Sequence, residues 1–138
     1  PADGSDGPSR GMGVSGPPLD QMLSALITDL YERGLDRKVM LVVWGEFGRT
    51  PRVNKTGGRD HWGSLMSILM AGGGLKVGQV IGESTPKGEV PQTRPVDPLE
   101  VLATMYHHLG IDPSGHTFTN AGRPIPILPG GKPIDELL

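Results

Sequence analysis

A chain of 138 residues with formal net charge -2 is long enough for one domain with its own core. No basic stripe recommends a nucleic-acid partner, and no apolar run is long enough to cross a bilayer. Zero Cys excludes disulfides and thiolate metal sites, while Gly 22 and Pro 14, about a quarter of the chain, point to long loops between apolar segments.

Residues 1–18 hold five Gly, three Ser and four Pro with scarcely any apolar side chains. Burial cannot offset the ordering entropy of such a stretch, so it reads as a flexible arm or, alternatively, as an ordered loop completed by other sequence. The chain opens at Pro1 with neither an initiator Met nor a signal peptide, and it reads as the trailing part of something longer. A helix is expected from Leu19 to Arg33, because Leu19, Met22, Leu23, Leu26, Ile27, Leu30 and Tyr31 recur at the spacing of one buried stripe. Asp20 suits its positive end, Arg33 the other, and Gly34 supplies a left-handed stop.

Val39 to Trp44 is an unbroken apolar run, β-branched in the middle, of the kind covered on both faces in a parallel sheet. Ser64 to Ala71 fits either a helix or a short buried strand, and the abrupt Gly72-Gly73-Gly74 favours a strand with a tight exit. That triplet has neither P-loop nor dinucleotide-binding spacing. Gln79 to Gly82 offers one more short strand, and residues 83–96 read as loop, broken by three prolines. A second helix begins at Asp97, with Pro98 at its first position and Glu100 completing a capping box. Leu99, Leu102, Tyr106 and Leu109 are expected to line its buried face, Gly110 to end it, and Ile125 to Leu128 to form an edge strand.

Open α/β sheets build sites just beyond the carboxyl ends of their strands, and charged groups cluster after Trp44. Asp60-His61 pairs a carboxylate with an imidazole, both ordinary ligands for zinc and similar ions. Side chains adjacent in a loop can converge on one centre, although such a pair is more commonly just part of a surface. Glu46, flanked by glycines, offers a second carboxylate or, equally, an ion pair to Arg49 or Arg59. Arg49, Arg52 and Arg59 would suit the oxygens of an anionic ester, or simply balance Glu46 and Asp60 in a solvated loop. His107 and His108, about 100° apart on a helix, are not expected to share one face. His116 has no obvious partner, and no serine elbow, cysteine nucleophile or glycosidase carboxylate pair is visible.

Gly45-Glu46-Phe47-Gly48-Arg49-Thr50-Pro51, Gly58-Arg59-Asp60-His61-Trp62, Ala71 to Gly74, Gly78 to Gly82, Arg94-Pro95-Val96 and Ala103 to Pro113 follow one another in order. Over residues 17–138 this set resembles the C-terminal part of the family called domain of unknown function 1501. That family is placed by similarity with the alkaline phosphatases and sulfatases. The resemblance implies an α/β sandwich with a mostly parallel central sheet, flanking helices and a one- or two-metal site. It also supports the strand reading of Leu65 to Ala71. Glu46 and His61 match metal-ligand positions, Asp60 would ligate or orient His61, and Phe47 stands where an imidazole is usual. The nucleophile and the first metal carboxylate of that superfamily lie on N-terminal strands, and nothing in this chain matches them.

These readings imply the C-terminal segment, residues 19–138, of a metal-dependent hydrolase of phosphate or sulfate esters, incomplete without an upstream half. Glu46, Asp60 and His61 would hold a divalent metal, zinc first and manganese or calcium as alternatives, while Arg49 and Arg59 would steady the substrate. Expected partners are an anionic ester or a sulfated or phosphorylated polymer, and the missing N-terminal half of the same protein. A non-catalytic exported binding domain that keeps the fold is the alternative. An exported or periplasmic setting is suggested by the family resemblance alone.

Overall fold

A computed structural model of the chain describes residues 8–138. It is a mixed α/β structure: two α-helices, four two-stranded antiparallel ladders and a C-terminal 3-10 turn. Helix α1 runs Pro8–Glu32 and therefore starts well before Leu19. Pro17 and Pro18 lie inside it; each lacks an N–H to bond backwards, which is why the pair reads as a boundary in sequence. Of the expected arm, residues 1–7 lie outside the described part. Beyond α1, Gly34 takes φ 64 and Leu35 N–H reaches back to the Leu30 carbonyl at 2.8 Å, the stop anticipated. The stripe is less covered than its spacing promises: Leu30 is buried, whereas Leu19, Met22, Leu26 and Tyr31 stay exposed.

Strand β1, Met40–Val43, pairs with β4, Leu69–Gly72, from Met40 opposite Gly72 to Val43 opposite Leu69. The strand reading of the ambiguous apolar segment holds, but the pairing is antiparallel where a parallel sheet was expected. A parallel partner needs a crossover unit between the strands, usually a helix. Here residues 44–68 form loops and the small ladder of β2, Gly48–Arg49, with β3, His61–Trp62. Residues of β1 are only half-buried, so its continuous apolar run reflects partial cover on both faces. No parallel central sheet exists among the described residues. The exit from β4 is tight: Gly72, Gly73 and Gly74 all take left-handed φ, and a Cβ on Gly72 would strike the Val39 carbonyl.

Residues 79–82 form no strand; the pairing comes just afterwards, between β5, Glu83–Ser84, and β6, Pro91–Thr93, in the stretch expected to be loop. Both strands are exposed and their register is irregular, so no apolar alternation announces them. The edge strand near Ile125 is β8, Pro124–Pro126, paired with β7, His116–Phe118.

Helix α2, Pro98–His108, starts as its sequence dictates. Asp97 accepts from Leu99 N–H at 2.8 Å, and Glu100 accepts from Asp97 N–H at 2.8 Å. Its buried face is Val101, Ala103 and Thr104, whereas Leu109 is exposed and Leu99, Leu102 and Tyr106 are half-buried. The reason is the C-terminal tail: Ile134 and Leu137 pack on Val101, with Trp44, Ile68, Met70, Leu75, Ile81, Val96 and Met105 around them.

Two polar links fix that tail. Thr104 is fully buried; its hydroxyl donates to the Glu100 carbonyl at 2.8 Å and accepts from Ile134 N–H at 2.9 Å. Arg94 donates to both oxygens of Glu136, at 2.7 and 3.1 Å, and to Glu100 at 3.0 Å. Arg94's hydrogen bonds hold the Glu136 carboxyl down at about 2 from its ordinary 4.5.

Replacing Thr104 with Val strands the buried Ile134 N–H, so a urea titration should show a loss of about 1–3 kcal/mol. Because the Glu136 value is depressed on folding, its stabilisation is complete above about 4.5 and fades as pH falls towards 2. Glu136→Gln should lower the melting temperature at neutral pH, and the gap from the natural chain should close across that acid window.

Candidate functional site

The groups singled out by sequence lie on one hairpin-like loop, residues 44–62. Its base is the β2–β3 ladder, with Arg49 opposite His61 and Gly48 opposite Trp62. Gly48 has no substitute here, since an added Cβ would run into the Leu65 carbonyl. Above the ladder, Thr50 N–H donates to the Asp60 carbonyl at 2.9 Å and Asp60 N–H donates to the Thr50 hydroxyl at 3.0 Å. Asn54 organises the tip: its Oδ1 accepts from Thr56 N–H at 3.1 Å, the Thr56 hydroxyl at 2.8 Å and Gly58 N–H at 3.0 Å. Trp62 ties the loop outward by donating to the Glu89 carbonyl at 2.6 Å.

The structure divides the predicted site residues. Asp60 turns its carboxylate to Asn54, whose Nδ2 donates to it at 2.9 Å. His61 begins β3, and its ring lies against Phe47 with centroids 4.0 Å apart and a 32° tilt. Successive residues of an extended chain send their side chains to opposite sides, which explains why this pair does not converge as loop neighbours can. Glu46 is exposed and has no side-chain hydrogen bond or ion pair among the described residues. Arg49 stands over the Phe47 ring, its guanidinium carbon 5.6 Å from the centroid, within cation–π range. Arg59 is committed elsewhere: one guanidinium nitrogen donates to the Thr50 and Pro51 carbonyls, both at 2.7 Å.

A shallow groove of about 300 Å³ runs along the same loop, lined by Thr50, Arg52, Val53, Asn54, Lys55 and Asp60. It carries two cationic side chains that could meet an anion. Among the described residues, no three His, Asp or Glu side chains come together as a metal-holding group. Glu46, Asp60 and His61 are therefore a partial donor set within this chain.

Compared with protein-family models, residues 6–138 match the family described as protein of unknown function (DUF1501). The chain belongs to that family. No curated protein and no solved structure matches it. For this DUF1501 chain the signal most easily missed in sequence is the pairing of Phe47 with His61. The two aromatic side chains flanking Gly48 and Trp62 in a glycine-rich hairpin were its only trace.

The division of the arginines makes a checkable contrast. Arg59→Ala should speed amide exchange at Thr50 and Asp60 by roughly five- to tenfold, the worth of one net hydrogen bond. Arg49→Ala, which removes no backbone contact of the loop, should leave those amides unchanged.

Proposed function

We propose that this chain is the C-terminal segment of a metal-dependent hydrolase of phosphate or sulfate esters, competent only when an upstream half of the same protein completes the site. The observation that carries this reading is the juxtaposition on the β2–β3 loop. An exposed imidazole braced by Phe47 lies across the ladder from Arg49, beside a groove edged by Arg52 and Lys55. A planar guanidinium next to an imidazole suits an anionic ester, whose oxygens it can engage two at a time.

Arg49 is the residue assigned to steady the anion. Arg59 keeps its importance as the brace that shapes the loop. Asp60, His61 and Glu46 do not fit a complete metal centre among themselves, so they are read as contributions to a centre shared with upstream residues. Zinc is the first choice for a set containing imidazole, and manganese and calcium suit the carboxylates. No residue here takes the role of nucleophile.

The upstream half has support in the physics of this chain. Its accessible surface is 9799 Å². A compact monomer of 14.6 kDa would expose roughly 6,900 Å². The exposed stripe of α1 and the two-stranded β1–β4 ladder are where cover is missing, and a two-stranded sheet is marginal in water on its own. The Phe47 stack favours one second reading, a non-catalytic binding domain, because an aromatic ring occupies a position where an imidazole is usual.

The test uses the longer protein carrying both halves. Bound zinc, manganese and calcium are measured, then Asp60 and His61 are each replaced by Ala. Metal content and ester hydrolysis should both drop by roughly 10–100-fold or more. Unchanged metal content with unchanged hydrolysis would end the proposal, and a metal-free, fully folded protein that binds sulfated polysaccharide would favour the second reading.

A further inference from the structure

We propose that the groove between the glycine turn after β4 and the last turn of α2 is a site for a divalent first-row transition ion, held by His107 and His108. The groove measures about 320 Å³ and is lined by Gly73, Gly74, Leu75, His107, His108 and Leu137 among others. The 100° separation of adjacent helical residues does not keep these two imidazoles apart, because the groove lies over the end of the helix.

Three observations converge on this place. The Nδ1 of His108 is 3.1 Å from the Gly73 carbonyl oxygen. A carbonyl can only accept, so Nδ1 carries the proton and the neutral ring keeps its lone pair on Nε2. A ring nitrogen bonded to a backbone carbonyl, with the other left free, is the usual arrangement of a metal-binding histidine. The fit depends on glycine: a Cβ at Gly73, where φ is 63, would come within 2.9 Å of Met40 Cβ and 3.2 Å of His108 Nδ1. Finally, both imidazoles sit at the C-terminal end of α2, where the helix carries partial negative charge that favours a cation. No Lys or Arg lines the groove to oppose one.

Two protein nitrogens leave the remaining coordination positions to water. Imidazole donors select copper, nickel and zinc over manganese. This site shares no residue with the β2–β3 loop, so it stands or falls independently of the hydrolase reading.

The test is an NMR titration of the 138-residue chain with Ni²⁺, then Zn²⁺, with Mn²⁺ as the weak comparison, following the imidazole ring signals of all four histidines. His107 and His108 should respond first, and Ni²⁺ and Zn²⁺ should outrank Mn²⁺. His107→Ala and His108→Ala should each weaken Ni²⁺ binding by about tenfold or more, as the loss of a ligand or its support does. Asp60→Ala and His61→Ala should bind as the natural chain does. His107 is exposed, so its replacement tests binding even if His108→Ala fails to fold. Response of His61 or His116 ahead of the pair, or unaltered Ni²⁺ affinity in His107→Ala, would overturn the assignment.

Discussion

The fold hangs on Arg94. Its guanidinium joins the start of α2, through Glu100, to the C-terminal turn, through Glu136. Glu100 meanwhile caps the helix by accepting from Asp97, so helix initiation and tail docking share one carboxylate. One turn further on, Thr104 repeats the link in a dry environment by bridging the Glu100 carbonyl and Ile134 N–H. Leu137 is then held where its carbonyl accepts from Lys76 N–H at 2.9 Å, beside Gln79, which donates to the Glu136 carbonyl at 2.7 Å. Backbone conformation serves the same end. Arg94 takes φ 44, and an added Cβ on the neighbouring Gly82 would sit 2.7 Å from the Arg94 carbonyl. Burial of Val101, Ile134 and Leu137 follows from these links; without them the tail has too little apolar area to stay docked.

What the sequence reveals about this fold depends on how local each decision is. Asp97, Pro98 and Glu100 lie within four residues, and their chemistry alone starts α2. Gly34 and Gly72 to Gly74 are equally legible, because positive φ is a local demand that glycine meets. The pairing of β1 with β4 is not local. An apolar run does not say whether its partner arrives parallel or antiparallel, and that depends on the absence of a crossover helix between residues 44 and 68. The buried face of α2 failed for a related reason. Spacing identified an apolar stripe through Leu99 and Leu109, but the tail arriving from residue 134 onwards chose Val101 and Thr104 instead.

The candidate site divides along the same line. That Glu46 to Arg49 and Arg59 to Trp62 belong together was legible, since a glycine-rich connection between them allows a hairpin. Individual roles were not. Arg59 looked as free as Arg49 until the Thr50 and Pro51 carbonyls were seen to turn towards it. Asp60 and His61 looked like neighbours able to converge until β3 gave them the alternation of an extended chain. The helical angle between His107 and His108 was correct as geometry. It misled because it ignores the turn of Gly73 and Gly74 that closes over the helix end.

A site that is to be completed by further protein gains from being ordered beforehand, since any freedom lost on association weakens the association. The β2–β3 loop meets that condition with its own hydrogen bonds. Asn54 and Arg59 fix its tip, Phe47 fixes the His61 ring, and Trp62 anchors its base to the Glu89 carbonyl. The contrast with α1 is physical. The loop is polar and locally saturated, so it holds its shape without cover, whereas α1 carries apolar side chains whose contribution to stability requires cover. Donor geometry is thus settled within the chain, while the free energy to be gained from further burial remains on α1 and the β1–β4 ladder. Association driven by the second would bring new groups to the first without reshaping it.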